Sequence, residues 1–335
     1  MDENNNLLTP QSIIELSTSY RNSRILLTAI EFNLFTKLNG KLKTSKEIAD
    51  LLLTDQNATD RFLNALCALG FLRKVKDKFY NTNESSQYLV KGKPNYLGTL
   101  EHNVFLWKSW NTLTDAVKEG KSVIIRNKEN KDWTEAFIAA MHSRAKKQAG
   151  IIPYLIDLSN TGTVLDVGGG SGIFSMGLVK AKEGLIATVF DLPDVIPLTE
   201  KYIKNEGLEN RIKTIAGNYL VDDFPGKFDL IFLSAIIHSN SPEDNLSLIK
   251  KCTESLNRNG QLVIKDFIMN ENRIEPENGA LFALNMLVNT MAGDTYTEKE
   301  VTGWMIESGL SKITRKNTSF GSSLIIGYNS ESNIS

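Results

Sequence analysis

The part of the chain best suited to chemistry is a glycine-rich loop that directly follows an apolar run. Asp166–Gly172 reads D-x-G-x-G-x-G, and a second apolar run, Ala187–Phe190, ends at another acid, Asp191. Glycines let the backbone turn sharply and approach a ligand, and an acid after the second strand can accept hydrogen bonds from both ribose hydroxyls. The pattern therefore predicts a nucleotide-binding strand–helix–strand unit.

The spacing of the glycines bears on which nucleotide is bound. A pyrophosphate dinucleotide site has glycines at the first, third and sixth positions, but Ile173 occupies the sixth position here. Glycines at the first, third and fifth positions, after an acid, favour a different nucleotide. A nicotinamide-dependent enzyme and a strand–turn–helix without ligand are the alternatives.

Histidine is well suited to proton transfer at neutral pH, and the chain has three: His102, His142 and His238. His238 follows the apolar strand Phe228–Leu233, and open parallel sheets bind ligands beyond the carboxyl ends of their strands. We therefore expect His238 to act as a general base. The alternative is a histidine that only lines the pocket.

Apolar runs and helical segments alternate from Thr163 onward. This alternation predicts an α/β domain, over residues 161–335, with a parallel sheet covered by helices on both faces. The predicted strands are Thr163–Val167, Ala187–Phe190, Ile212–Ile215, Phe228–Leu233 and Gln261–Phe267, then a closing hairpin of Ser311–Arg315 and Ser322–Gly327.

Residues 1–120 have a mainly helical pattern with one short hairpin. Helices are predicted over Arg24–Phe35, after a capping box of Thr44 and Glu47, and over Thr59–Leu69. Phe71–Tyr80 has the pattern of a hairpin. The order helix, turn, helix and two-stranded wing predicts a winged-helix domain.

A winged helix raises the question of DNA binding. A DNA-reading helix needs several basic or amide side chains facing the groove. The third predicted helix has one basic residue, Arg61, beside Asp60, and one amide, Asn64. We therefore expect no nucleic-acid partner and expect this domain to supply a dimer surface.

The segment 121–160 joins the two predicted domains. Asn111–Lys131 is polar and predicts a linker, whereas Asp132–Ser159 returns to a helical pattern. We expect residues 121–160 to comprise a linker and helices that cover the substrate.

The composition is that of an ordinary globular protein. The 335 residues suffice for two domains, and 41% are hydrophobic and 23% charged. A net charge of −1 provides no basic field for nucleic acid or anionic membranes. The two cysteines are outside any metal-binding spacing, and the N-terminus is polar. No apolar run is long enough to span a membrane. These features favour a cytoplasmic protein without a membrane partner.

Several motifs occur in the order typical of one enzyme family. They are Asp166–Gly172, Phe190–Val195, Ala216–Tyr219 and Asp229–His238. With its helical start, the chain from Ser12 to Tyr328 resembles S-adenosylmethionine (SAM)-dependent class I O-methyltransferases of the plant caffeate and bacterial small-molecule types. The resemblance implies a Rossmann-like sheet with an antiparallel last strand, an N-terminal winged-helix dimerisation domain, a homodimer, and methyl transfer to a hydroxyl of a small aromatic metabolite of secondary metabolism.

The resemblance also assigns the residues that would hold SAM. Gly168 and Gly170 would pass under its methionine part, and Asp191 would bind the ribose. The residues that follow Asp191 and the turn after the third strand would contact the adenine. Where the family has Gly-Asp-Met or Gly-Asp-Phe, this chain has an amide, which can still accept a hydrogen bond through its carbonyl oxygen. The expected cofactor residues are Gly168, Gly170, Asp191, Leu192, Asn218 and Tyr219.

The catalytic residues implied by the resemblance are His238 and Asp266. Asp266 matches a family glutamate that orients the histidine. The chain departs from the family at other positions: Ser239-Asn240 replaces Asp-Trp after the base, Ser234 replaces a lysine, and Thr295, beside Asp294, replaces a second orienting glutamate. These changes weaken the catalytic assignment more than the cofactor assignment.

By resemblance, Phe137, Met141 and Met286 would contact the acceptor, although apolar residues at helical spacing also form cores. We expect no metal site, since no carboxylate cluster of the catechol type can be assembled. The alternatives are a C- or N-methyltransferase of the same fold, a SAM-binding relative that catalyses another reaction, and a regulator that senses SAM.

Overall fold

The chain forms two compact units that divide between Phe105 and Leu106. The computed structural model describes residues 8–124 and 131–330. The described helices of the first unit are α1 (Pro10–Thr18), α2 (Tyr20–Glu31), α3 (Leu34–Lys37), α4 (Ser45–Leu52), α5 (Gln56–Ala68) and α6 (Asn83–Tyr88). Its strands are β1 (Lys43–Thr44), β2 (Leu72–Val75) and β3 (Lys78–Asn81).

The start of α4 has the predicted capping box. Glu47 N donates to Thr44 Oγ1 at 3.2 Å, and Thr44 N donates to Glu47 Oε2 at 2.7 Å. The helix predicted over Arg24–Phe35 is in fact two helices, α2 and α3. Asn33 separates them because it adopts a left-handed conformation with φ of 50°.

The predicted hairpin is present in the same unit. Strands β2 and β3 pair antiparallel, and β1 adds to β3 as a third strand. The preceding helix α5 begins at Gln56 rather than at Thr59, because the Asp55 carboxylate accepts a hydrogen bond from Ala58 N at 2.8 Å and caps the helix.

The second unit is built around a large sheet. Its strands are β4 (Thr163–Val167), β5 (Ile186–Asp191), β6 (Ile212–Ala216), β7 (Phe228–Ser234), β8 (Leu256–Asp266), β9 (Ile268–Met269), β10 (Tyr296–Thr297), β11 (Ser311–Asn317) and β12 (Ser323–Tyr328). Helix α7 (Thr99–Trp110) crosses the division, and the helices that follow are α8 (Leu113–Glu119), α9 (Lys131–Ala149), α10 (Ile173–Ala181), α11 (Ile196–Asn205), α12 (Pro242–Glu254), α13 (Glu277–Asn289) and α14 (Glu298–Glu307).

The order of strands in the main sheet is β11-β12-β8-β7-β4-β5-β6. Strands β6, β5, β4, β7 and β8 are parallel, and β12 is antiparallel to both of its neighbours. The predicted fold class is therefore confirmed. From β4 the chain proceeds to β5 and β6 in one direction, and from β7 it proceeds to β8 in the other, so the order of strands reverses between β4 and β7. A ligand crevice forms at the carboxyl edge of such a switch point.

Both faces of the sheet are buried under helices, as continuous apolar strands require. Leu165 and Ile231 belong to the core on one face, while Val164 and Phe232 belong to the core on the other face. The loops after β4 and β7 therefore extend from a rigid base.

The predicted linker Asn111–Lys131 is partly wrong, because it contains helix α8. Ala116 is fully buried where α8 packs against α13, so this polar segment still has one apolar face. Residues 125–130 of the predicted linker lie outside the described residues. None of the helices in residues 8–124 and 131–330 is long and apolar enough to cross a membrane.

Candidate active site

The glycine loop joins β4 to α10 and faces the turn that follows β7. Gly168 and Gly170 have φ of 63° and 58°, which glycine adopts without strain. A Cβ at Gly168 would lie 2.3 Å from Cδ1 of Ile236, so a larger residue would have to displace that side chain as well as adopt the left-handed backbone. The loop thus presents bare backbone to Ile236, which lies two residues before His238 in the opposite turn.

Asp166 lies under this loop with one carboxylate oxygen unused. Its Oδ2 accepts a hydrogen bond from Ser175 Oγ at 2.7 Å, whereas its Oδ1 is buried and has no partner among the described residues. Burial and the nearby charge of Asp191 raise the pKa of Asp166 to about 6. A buried acid of this kind is suited to a positively charged ligand group.

Asp191 ends β5 and is held by backbone amides on both sides. Gly170 N donates to its Oδ2 and Leu192 N donates to its Oδ1, each at 2.7 Å. Burial raises the pKa of Asp191, against these two hydrogen bonds, which lower it. The carboxylate is therefore locked beside the glycine loop, while the side chain of Leu192 is 46% exposed at the adjoining edge.

Asn218 and Tyr219 form the turn after β6. Asn218 Oδ1 accepts a hydrogen bond from Leu220 N at 3.0 Å, and Asn218 N donates to Asp222 Oδ2 at 2.7 Å. The Tyr219 hydroxyl donates to Asn240 Oδ1 at 3.1 Å. Thus Asn218 stabilises its own turn, and Tyr219 connects this turn to the one that carries His238.

These features together fit SAM. Its ammonium and sulfonium groups are positive, which suits the pair of carboxylates formed by Asp166 and Asp191. Its ribose hydroxyls suit an oriented acid at a strand end, and the bare backbone at Gly168 and Gly170 allows close approach. In the sequence Asp166 stands out only as part of the loop pattern, and its burial with one unpaired oxygen is what makes it a candidate ligand group.

His238 and Asp266 are in contact at the carboxyl ends of β7 and β8. His238 Nδ1 lies 2.8 Å from Asp266 Oδ1, which also accepts from Phe267 N at 2.8 Å. Both side chains are buried. Because an ionised carboxylate only accepts, Nδ1 carries the proton of a neutral His238, and Nε2 keeps a lone pair for another group.

Phe282 on α13 was missed by the sequence analysis. Its ring meets the His238 ring edge to face with centroids 4.9 Å apart, and it also packs against Phe267 at 4.7 Å. Met286 is buried one turn further along the same helix. Only the spacing of four residues between 282 and 286 could have signalled that the two lie on one face of α13.

Phe137 and Met141 lie on α9, which packs over the glycine loop. A Cβ at Gly170 would lie 3.5 Å from Cδ1 of Ile138, and His142 Nδ1 lies 2.9 Å from Ser171 Oγ. Phe137 is half-buried and stacks on Trp133 with ring centroids 5.1 Å apart. The helix assigned to the acceptor is therefore in direct contact with the loop assigned to the cofactor.

The loop that would carry a second orienting acid does not place one on His238. Asp294 Oδ2 lies 3.5 Å from Arg273 Nη1, and Thr295 is buried. Gly293 packs closely on the backbone of His238, since a Cβ there would lie 2.3 Å from the His238 carbonyl oxygen. In the described parts of the chain, no three His, Cys, Asp or Glu side chains are grouped so that they could hold a metal ion.

Comparison with known proteins agrees with this geometry. Residues 14–92 match the O-methyltransferase dimerisation domain, and residues 110–311 match the O-methyltransferase domain. The 3-hydroxy-5-methyl-1-naphthoate 3-O-methyltransferase of Streptomyces sahachiroi is 29% identical over 312 residues, or 91% of this chain and 90% of that protein.

Two further relatives extend the comparison. The N,N-dimethyltransferase OxyT of Streptomyces rimosus is 27% identical over 77% of this chain and 78% of that protein. The SAM-dependent methyl transferase PigF of a Serratia species is 26% identical, with 96% of each chain covered. The structure of PigF with SAH has a TM-score of 0.88 at 24% identity, covering 96% of this chain and 100% of PigF.

The O-methyltransferase domain alone spans more than half of the 335 residues. The match covers the glycine loop, Asp166 beneath it, Asp191 beside it and the turn that carries His238. The chain therefore belongs to the O-methyltransferase family and is a SAM-dependent methyltransferase.

Proposed function

We propose that this enzyme methylates a hydroxyl of a small aromatic metabolite of secondary metabolism, with His238 as the general base. The observation that carries the proposal is the buried 2.8 Å contact between His238 Nδ1 and Asp266 Oδ1. β7 and β4 are neighbours in the sheet, so the His238 turn and the glycine loop leave from adjacent strands. A base is thereby held next to the expected position of the methyl donor.

The residues divide the work as follows. SAM supplies, when bound, a methyl group that is activated by its sulfonium. Nε2 of His238 takes the proton of the acceptor hydroxyl, and Asp266 keeps the ring in the required tautomer and stabilises its charged form. Phe282 limits rotation of the ring and excludes water from that side.

Cofactor binding in this proposal uses the residues expected from the sequence, with Asp166 added. Gly168 and Gly170 provide the backbone approach, Asp166 the counter-charge and Asp191 the ribose contact. The adenine would lie among Leu192, Asn218 and Tyr219, and the acceptor among Phe137, Met141 and Met286.

The general-base role is tested with His238→Gln and Asp266→Asn, assayed on a panel of phenols. We expect His238→Gln to lower kcat by about 100-fold or more, because a positioned base contributes about that much. Asp266→Asn should lower kcat less, since Nε2 remains present. Unchanged SAH affinity, measured by calorimetry, would show that both variants are folded, and full turnover by His238→Gln would refute the role.

A second candidate is methylation of nitrogen or carbon. Thr295 occupies the position of the expected second glutamate, and Asp294 pairs with Arg273 instead of contacting His238. Asp266 is then the acid that supports His238, and an acceptor that needs less help from a base would suit this site. OxyT, a relative of comparable similarity, is an N,N-dimethyltransferase by name. Amines or activated carbons turned over by His238→Gln at the wild-type rate would support this candidate.

We also propose that the chain works as a homodimer through its N-terminal unit, whose helix–helix–hairpin order is that of a winged helix. Residues 14–92 match a dimerisation domain. Helix α1 has no buried residue, and its Ile13, Ile14 and Leu16 are each more than half exposed. Such an apolar surface is expected to be covered by a second subunit.

A further inference from the structure

The turn that carries His238 ends at a buried amide, Asn240, whose side chain is bonded on both sides. Asn240 is 4% exposed. Its Oδ1 accepts from the Tyr219 hydroxyl at 3.1 Å, and its Nδ2 donates to Asn245 Oδ1 at 3.1 Å. Asn245 is fully buried, and its Nδ2 donates to the carbonyl oxygen of Ile237 at 2.9 Å. The chain of hydrogen bonds thus returns to the residue just before His238.

The direction of these hydrogen bonds is dictated by the last acceptor. A backbone carbonyl only accepts, so Asn245 must present its NH2 group to Ile237 and its oxygen to Asn240. Asn240 must then donate to Asn245, which leaves its own oxygen for Tyr219. The Tyr219 hydroxyl is therefore a donor, and burial, which raises the pKa of Tyr219 to about 12, keeps it protonated.

A second tyrosine holds the backbone of the same turn. The Tyr296 hydroxyl donates to the carbonyl oxygen of Asn240 at 2.5 Å. Tyr296 begins β10, which pairs with β9, and β9 starts two residues after Asp266, so the turn is tied to the segment that follows the orienting acid. This loop is the one that lacks the expected glutamate at Thr295.

We infer that Asn240 is a positioning residue for His238. The hydrogen-bonded chain Tyr219–Asn240–Asn245 then links the turn after β6, which is assigned to the cofactor, to the proposed base. The inference rests on the proposed function, since it assumes that His238 needs a defined orientation. In this chain the hydrogen bonds of Asn240 hold the His238 turn. Other members of the family would instead use a second carboxylate that contacts the histidine. A cofactor seated against Tyr219 would thereby favour one arrangement of the His238 turn.

The test uses Tyr219→Phe, which keeps the ring and removes the hydroxyl, and Asn240→Asp, which cannot donate to Asn245. Tyr154→Phe is the control, because Tyr154 is 78% exposed. Turnover, SAH affinity and the ring 15N signals of His238 are measured, with and without SAH. The chain has three histidines, so His→Gln variants assign these signals.

We expect Tyr219→Phe to lower kcat about tenfold, because it leaves the buried Asn240 oxygen unpaired. SAH affinity should stay within about threefold, since a hydroxyl directed at Asn240 makes little direct contribution to the ligand. The His238 signals should move, and the further change on adding SAH should shrink. Asn240→Asp should lower kcat at least as much, and Tyr154→Phe should behave as wild type.

Wild-type kcat and wild-type His238 signals in both variants would overturn the inference. A large loss of SAH affinity in Tyr219→Phe without movement of the His238 signals would also overturn it, because Tyr219 would then act only on the cofactor. Failure of the proposed base is separate: His238→Gln would retain turnover, while the His238 signals of Tyr219→Phe would still report whether the link exists.

Discussion

Asp166→Asn is expected to stabilise the ligand-free protein and to weaken cofactor binding. Asp166 is 1% exposed, and its Oδ1 has no partner within the described residues. An amide at this position can still accept from Ser175 Oγ but carries no charge. The substitution therefore separates the effect of the charge on the free energy of unfolding from its effect on ligand affinity.

The magnitude follows from the pKa of Asp166, which burial raises from 3.8 to about 6. At about 1.4 kcal/mol per unit, ionising the folded protein costs about 3 kcal/mol. Because the folded pKa is the higher one, the penalty is absent below about pH 4, grows as the pH rises and is complete above about pH 7. Between about pH 5 and 8 the wild type should lose about 1.4 kcal/mol through this group.

The free energy of unfolding is measured in urea at pH 5 and pH 8 for both proteins. At pH 8 we expect Asp166→Asn to be more stable by about 2 kcal/mol, since an unpaired amide N–H costs about 1 kcal/mol of the gain. SAH affinity should fall at least about tenfold, the value of one hydrogen bond to a charged group.

Asp229→Asn is the matched control. Burial acts to raise the pKa of Asp229, yet hydrogen bonds from Asn257, Gly162 and Thr163 together lower it. This substitution should therefore destabilise the protein at pH 8 and leave SAH affinity unchanged. The reasoning is refuted if Asp166→Asn is no more stable than wild type at pH 8, with no difference in pH dependence. Unchanged SAH affinity would refute the ligand role of Asp166 alone.

Four other predictions concern the same proposals. Gly168→Ala should weaken SAH binding in calorimetry, because alanine is strained at a φ of 63° and its methyl group would displace Ile236. Gly303→Ala, with nothing within 4 Å, should bind SAH normally. Asp191→Ala should weaken SAH binding at least about tenfold, and wild-type affinity would rule out the ribose contact. Phe282→Ala should lower kcat more than it raises KM, since it frees the His238 ring; a change confined to KM would contradict this. Sedimentation at micromolar concentration should show a dimer, and a monomer would refute the proposed homodimer.

Much of the fold could be predicted because its signals are local. Strand β4 was predicted at its observed bounds, and the other strands of the main sheet were located, with β8 beginning earlier at Leu256. Buried parallel strands appear as continuous apolar runs, and a glycine loop of fixed spacing marks the turn between β4 and α10. The same local signals failed at α8, because a single buried face in a polar segment is a weak pattern.

Parts of the site depend on residues far apart in sequence. His238 and Asp266 were expected to pair through resemblance, but their 2.8 Å contact requires β7 and β8 to be neighbours in register. The direction of Asp294 toward Arg273 could not be read from spacing, since both are polar residues in loops. Phe282 contacts His238 only because α13 packs against the turn that carries it.

The sequence by itself determined the nucleotide loop, the alternation of strands and helices, and the identities of the acids and the histidine. These depend on residue type and on the periodicity of neighbouring residues. Tertiary structure decided which carboxylate oxygen lies unpaired beneath the loop, and which amide joins the turn of Tyr219 to the turn of His238. Burial and hydrogen-bond direction arise only when distant segments exclude water together, and a linear pattern does not contain that information.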